Sequence, residues 1–471
     1  MLRTYLIILL LLPIVLTAST KIESSLLQKY SQGVHQADVI ITLTEKTSEI
    51  LQKVADNSLA TKVQKRTALY QELGAFTSIS QAPLLSFLST KLPKESIRSF
   101  WITNKIAISG ATLNLLQEID VNIENVLEIR ESKKFLIPET SFAEDEKLHL
   151  ISEEWDEETL NETEIAWGVK QIGALDAWEM GYKGQGIIVS TIDSGVRYNH
   201  EALVDNYRED YGWFDPYYGS ELPNDYNGHG SHTMGSICGT HGIGVAPDSK
   251  WIACIGCTTI TCAEDALLAC GQWTLCPTLW DGTEPDCSKA PDISSNSWAG
   301  GQGDPIFNDV IDAWQVGGIV PVFGIGNSGP FCTTANSPGD QPNVISVGAT
   351  TINDTVAIFS SHGPAAEDIN RVKPEISAPG VNIRSASNLG VSAYAIKSGT
   401  SMSCPHVAGA IAVLLSKNPE LTFGEIEEAL YGYTLQPFIE ETPCGNVTDF
   451  WPNNSFGWGR VDLYRSLSEG V

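Results

Sequence analysis

No cysteine stands before residue 238, and basic residues are scarce, at 29 Lys and Arg against 57 Asp and Glu. After the first 18 residues no hydrophobic run approaches membrane-spanning length. Each shortage excludes something. A formal net charge of −28 argues against nucleic acid or an anionic membrane surface as partner, since both would repel the chain. The short hydrophobic runs leave no confident spanning helix. Paired thiolates of zinc-binding spacing are lacking: only Cys254 and Cys257 stand as CxxC, so no structural zinc is expected. Internal repeats and low-complexity tracts are also missing.

What is present begins with a leader. Arg3 precedes an apolar run from Leu6 to Ala18, followed by polar Thr17–Thr20, the pattern of a signal peptide over 1–19. The expected location is therefore secreted and extracellular, or a lysosome- or vacuole-type compartment, with no membrane contact after signal removal. Ten cysteines, six of them between 254 and 287, suit that oxidising setting and predict local disulfides, with connectivity left open. Asn161, Asn353, Asn446 and Asn453 begin N-x-S/T sequons, which predict a glycoprotein in a eukaryotic source.

The 471 residues exceed one domain on the usual length prior. Residues 20–138 alternate strand-like and helical patterns. "ADVIITLTE" is followed by a helical stretch from Ser48 to Gly74, two strand-like runs around Asn104-Lys105, the helix "ATLNLLQEI" and the strand "VLEIRES". That order predicts a small βαββαβ, ferredoxin-like α+β domain. From Glu139 to Glu164 eleven acidic residues accompany a single Lys147, which reads as an exposed linker over 139–166. From 167 to 471 the pattern becomes parallel α/β, with strands "GIIVSTID", "KWIACIG", "PDISSNS", "GIVPVFGIG" and "NVISVGAT" between helices. A three-layer, mostly parallel, doubly wound sheet is expected, with its site at the strands' carboxyl ends. Thr422 and Glu425 form a capping-box pattern opening a late helix.

Polar residues stand at those ends. Asp193 closes "IIVSTID" before Ser194-Gly195, His229 follows 36 residues later between glycines in "NGHGSHTMG", and Ser401 comes 172 residues after that. Asn327 follows "GIVPVFGIG" in a glycine-rich turn. Singly, each has an ordinary explanation: a turn former, a surface imidazole, a helix cap, a polar loop residue. Together they supply an orienting carboxylate, a general base, an oxyanion donor and a nucleophile, the parts of an acyl-transfer site. A metal-dependent hydrolase on His229 and His232 is the weaker alternative, because the HExxH glutamate and a third ligand are missing.

The segments "STIDSGV", "NGHGSHTMG" and "SGTSMSCPHVAG" resemble the signatures of the subtilisin-like serine peptidases, in the chain order Asp–His–Ser known for subtilisin. The resemblance runs from about Trp167 to "GWGRVDLY", and "GQW", "NSWAGG" and "NSPGDQPNVISVGAT" look most like bacillopeptidase F-type members. It implies a zymogen whose Ser401 attacks the scissile carbonyl, with His229 as base, Asp193 as its orienter and Asn327 in the oxyanion hole. A catalytically silent, peptide-binding relative is the alternative; the triad is complete, which speaks against it.

By the same resemblance, Ser297, Trp298 and Ala299 would pair with extended peptide or protein substrates. Gly324 and Gly326 would form the other side of the first specificity pocket. Ser328 and Asn336 there imply apolar or broad preference. Residues 20–138 would be an inhibitor and chaperone propeptide, cut somewhere between Ile137 and Trp167, and the enzyme would act as a monomer. No cofactor or metal ligand set is expected. Ala202 stands where the family's best-known calcium site has an acid, so structural calcium would need another, unidentified site. Cys404 is expected to be a buried packing residue, and Cys257–Cys262 and Cys276–Cys287 are the expected local pairs.

Overall fold

In the computed structural model, which describes residues 20–58, 60–138, 165–437, 444 and 451–471, the apolar runs of the second half form one seven-stranded sheet. Across it lie Ile376–Pro379, Ile345–Thr350, Val320–Gly324, Ile293–Asn296, Ile188–Asp193, Lys250–Ile255 and Trp213–Phe214, every pair parallel. A parallel sheet has two faces to bury, which is why its strands read as nearly continuous apolar runs. Helices His229–Cys238 and Thr400–Lys417 pack together on one face, and Glu264–Leu275 and Asn308–Val316 pack together on the other. Side chains alternate accordingly: Val189 and Val322 join the core under the first pair, whereas Ile192 approaches Leu267 beside Gly256. The expected three-layer α/β architecture is present.

The chain divides into two compact units. The smaller comprises Met1–Glu45, Ser80–Arg98 and Lys105–Glu131. Its sheet runs Ile97–Phe100, Lys105–Ala111, Ala37–Leu43, Val126–Glu131, with Val39, Ile41, Ile106, Ile108, Leu116 and Ile119 in the core. The larger comprises Lys46–Ile79, Ser99–Asn104 and Ser132–Val471. The stretch expected as one helix from Ser48 forms two, Ser48–Ala55 and Lys62–Ser80, and both belong mainly to the larger unit. Arg66 shows why: it is buried and donates to the carbonyls of Gly317, Ala290, Pro291 and Gly318 at 2.7–3.4 Å. A buried guanidinium needs such acceptors to offset its lost hydration.

Residues 1–19 and 139–164, with the sequons at Asn161 and Asn446, lie outside the described residues. Of the other sequon asparagines, Asn353 is exposed, while Asn453 is buried with its Oδ1 accepting from the Ser455 and Phe456 N–H groups. No helix among the described residues is long and apolar enough to cross a membrane.

Four disulfides form: Cys254–Cys270, Cys257–Cys262, Cys276–Cys287 and Cys332–Cys444. Both expected local pairs are among them, and the CxxC-spaced Cys254 and Cys257 are committed to different bridges. Cys332–Cys444 closes a sequence separation of 112, a loop whose constraint on the unfolded chain is worth about 4–5 kcal/mol. Cys238 and Cys404 are free and buried. Burial pushes the Cys404 thiol up to about 11, the behaviour of a packing residue and not of a nucleophile.

His200, His232, His362 and His406 are all buried, and desolvation lowers each below the usual imidazole range, to about 3 for His232 and about 4 for His406. Lys397 and His229 push His232 the same way. The unfolded chain therefore binds protons below about pH 6.5 that the folded chain refuses, and stability falls as pH drops through that point. Each such histidine contributes a slope of up to about 1.4 kcal/mol per pH unit. Asp340 and Glu427, whose carboxyls burial raises, act oppositely at more acidic pH. Urea unfolding is expected to show a lower midpoint at pH 5.5 than at pH 7.5; an unchanged or higher midpoint contradicts neutral burial of these side chains.

Candidate active site

Asp193 is the last residue of its strand and is 1% exposed. A carboxylate there must be fully hydrogen-bonded. Its Oδ1 accepts from the Ser194 N–H at 2.6 Å and from His229 Nδ1 at 2.9 Å; its Oδ2 lies 3.0 Å from the same Nδ1 and 3.4 Å from Thr233 Oγ1. Because both carboxylate oxygens can only accept, Nδ1 carries the proton. Nε2 is then the basic nitrogen, and it is buried without a hydrogen-bond partner among the described residues.

His229 opens a ten-residue helix after Gly228, whose φ of 88° favours glycine. The anchor of that helix start escaped the sequence reading. Asp225, buried, accepts from Ser194 Oγ, the N–H groups of Asn227 and Gly228, and both N–H and Oγ of Ser231, at 2.6–3.0 Å. Ser194 Oγ in turn accepts from the Gly230 N–H at 2.9 Å. One carboxylate thus caps the helix and ties it to the loop after Asp193. An acidic residue four positions before a glycine-framed histidine was the available signal.

His232 lies one turn further along, fully buried, with Nε2 donating to the carbonyls of Ile383 and Ala395 at 3.0 and 3.1 Å. It fixes the helix against those segments and does not face His229 as a metal partner. Among the described residues no group of three or more His, Cys, Asp and Glu could hold a metal ion. Ala202 offers its N–H to His200 Nδ1 at 3.1 Å and its carbonyl to the Thr240 N–H at 2.9 Å.

Ser401 is the second residue of helix Thr400–Lys417, which carries Pro405 in its second turn. Proline there cannot donate to the carbonyl four residues back, that of Ser401. Ser297 Oγ donates to this carbonyl instead, at 3.1 Å, and ties the helix to the segment after strand Ile293–Asn296. Ser401 Oγ donates to the Ser297 carbonyl at 3.4 Å. No hydrogen bond between Ser401 Oγ and His229 Nε2 occurs among the described residues.

Asn327 follows strand Val320–Gly324 and is oriented by Thr400, a second residue the sequence reading missed. Its Oδ1 accepts from the Thr400 N–H and Oγ1, both at 2.9 Å. The amide must therefore present Nδ2 outward, where it donates to the carbonyl of Pro138 at 2.9 Å. In the first turn of the Ser401 helix the Thr400 N–H meets Asn327 Oδ1 and the Met402 N–H meets the Gly399 carbonyl, both at 2.9 Å.

The substrate-facing candidates fall into two groups. Ala299 forms a two-bond antiparallel bridge with Leu136, and strand Lys134–Leu136 pairs on its other edge with Thr261–Ala263. Trp298 is buried and packs edge-on against Phe135, Phe307 and Phe323 at 5.1–5.5 Å. Beside Pro138 lies a cavity of about 370 Å³ lined by Ala299, Gly300, Gly301, Ser328 and Asn336. No lining side chain is charged. Gly324 and Gly326 stand behind it and do not line it; at Gly326, with φ 107°, a Cβ would sit 2.2 Å from Asn336 Oδ1.

Asp225→Ala leaves several buried donors without an acceptor and is expected to cost about 3–5 kcal/mol in urea unfolding. Asp225→Asn, which keeps one acceptor oxygen, is expected to cost less. Wild-type stability in both variants contradicts the anchoring role.

The Subtilase family profile matches residues 184–459. Bacillopeptidase F of Bacillus subtilis is 34% identical over 435 residues, covering 87% of this chain and 29% of that protein. Serine protease AprX of the same organism is 32% identical over 325 residues, 60% of this chain and 66% of AprX. Subtilisin DY of Bacillus licheniformis is 31% identical over 274 residues, 56% of this chain and 90% of that protein.

Proposed function

The chain belongs to the subtilase family, and from that premise we propose that it is a serine endopeptidase, secreted and made as a zymogen. The observation that carries the reading is the Asn327 amide donating to a peptide carbonyl at 2.9 Å beside the Ser401 helix, with the Asp193–His229 pair two strands away in the same sheet.

Ser401 Oγ attacks the scissile carbonyl while His229 Nε2 takes its proton; Asp193 holds the tautomer and stabilises the imidazolium. Negative charge developing on the carbonyl oxygen is met by Asn327 Nδ2 and the Ser401 N–H. His229 then protonates the leaving amine, and water hydrolyses the acyl-enzyme by the same steps. Extended peptides bind as an added strand along Ala299. The uncharged cavity beside Ser328 and Asn336 favours an apolar or varied side chain over lysine or arginine. Residues 20–138 act as the inhibitory propeptide, and no cofactor enters the reaction.

Ser401→Ala is expected to abolish casein hydrolysis and fluorophosphonate labelling. Asn327→Ala is expected to lower kcat by about 10²–10³, a scale taken from subtilisin itself. Normal hydrolysis by the Ser401→Ala chain, or a wild-type chain that neither labels nor hydrolyses, overturns the proposal; the second result points to a silent peptide-binding relative.

A further inference from the structure

Helix Asn308–Val316 ends at two glycines. The Gly318 N–H donates to the Gln315 carbonyl and the Ile319 N–H to the Trp314 carbonyl, at 2.9 and 2.8 Å, with Gly318 at φ 73°. The carbonyls of Gly317 and Gly318 receive a different donor, the Arg66 guanidinium. Its Nε donates to Gly317 at 2.7 Å, its Nη1 to Ala290 at 3.2 Å, and its Nη2 to Pro291 at 3.0 Å and Gly318 at 3.4 Å. Ala290 and Pro291 stand just before strand Ile293–Asn296, and the two glycines just before Val320–Gly324. The four acceptors therefore lie at the amino ends of two neighbouring parallel strands, the ends opposite to Ser297 and Asn327.

Each part of this pocket suits a planar cation with several N–H groups. Four carbonyl oxygens converge on one guanidinium, whose rigid fork of donors matches them; an ammonium gathers its donors at a single point. The helix C-terminus adds partial negative charge. Asp292 adds a full one: burial pushes the Arg66 guanidinium down from its ordinary range, and Asp292 opposes that shift. At 3% exposure, Arg66 has exchanged its hydration for these contacts. Lys62, one turn earlier, donates to the Pro419 carbonyl at 2.7 Å. Neither glycine leaves room for a side chain. A Cβ at Gly317 would stand 3.3 Å from Arg66 Cγ, and one at Gly318 would stand 2.8 Å from Lys62 Cγ.

We propose that the carbonyls of Ala290, Pro291, Gly317 and Gly318, with Asp292, form a guanidinium-binding site whose resident ligand is Arg66, and that this one side chain fastens residues 62–79 to the base of the seven-stranded sheet. Emptied of Arg66, the site takes a free guanidinium ion from solution. It lies apart from the catalytic residues and holds whether or not the chain is a peptidase.

The test is amide hydrogen exchange on the full-length chain carrying Ser401→Ala, compared with the same chain carrying Arg66→Ala or Arg66→Lys. Amides of strand Ile345–Thr350 report that the main sheet is intact. In Arg66→Ala, residues 62–79 are expected to exchange about a hundredfold faster, the effect of losing several charge-assisted hydrogen bonds. Guanidinium chloride at about 20 mM, far below the molar range of unfolding, is expected to slow that exchange about tenfold by refilling the site. Sodium chloride at the same concentration is expected to leave it unchanged. Arg66→Lys keeps the charge and the fold but not the fork, and is expected to exchange about tenfold faster than the parent in the same residues. Parent-like exchange in either variant overturns the inference. So does an Arg66→Ala chain that guanidinium fails to protect, or that sodium protects equally well.

Discussion

A carboxylate buried at the end of a parallel strand cannot stay charged without donors around it, and Asp193 organises the site by this requirement. Its oxygens draw in the Ser194 N–H, the His229 ring and the Thr233 hydroxyl. These contacts set the ring orientation and the tautomer together. Asp225 repeats the arrangement one layer back, holding the N-terminus of the His229 helix to the loop after Asp193. Two buried acids, each satisfied by several donors, therefore fix a histidine that itself makes few contacts.

The sheet supplies the rest of the geometry. Adjacent parallel strands end on the same side, so Asp193, Ser297 and Asn327 emerge side by side although distant in sequence. Pro405 contributes from within the Ser401 helix by freeing a backbone carbonyl that Ser297 then claims.

The parallel strands, the capping box at Thr422–Glu425 and the residues at the strand ends were legible in the sequence because each is encoded over a few neighbouring residues. What was not legible depends on partners far apart in the chain. Thr400 orients Asn327 across 73 residues, and Arg66 meets carbonyls more than 200 residues away. Strand Lys134–Leu136 carries no sharp motif, and its pairing with Ala299 and Thr261–Ala263 is set by tertiary packing. The single helix expected from Ser48 is broken at a local signal that was passed over: Thr61 and Gln64 cap the second helix reciprocally, the Thr61 N–H meeting Gln64 Oε1 at 2.8 Å and the Gln64 N–H meeting Thr61 Oγ1 at 3.2 Å. Cys332 and Cys444 gave no spacing signal because 112 residues separate them.

The central claim is that Asp193 holds His229 with the proton on Nδ1 and a free base at Nε2. Nitrogen-15 NMR of the histidine-labelled Ser401→Ala chain at pH 8 tests it directly. The account predicts a protonated Nδ1 with a strongly downfield proton and an unprotonated Nε2, and loss of that downfield proton in Asp193→Asn. An Nε2–H tautomer in the parent chain, or an Nδ1 proton unaffected by Asp193→Asn, contradicts it.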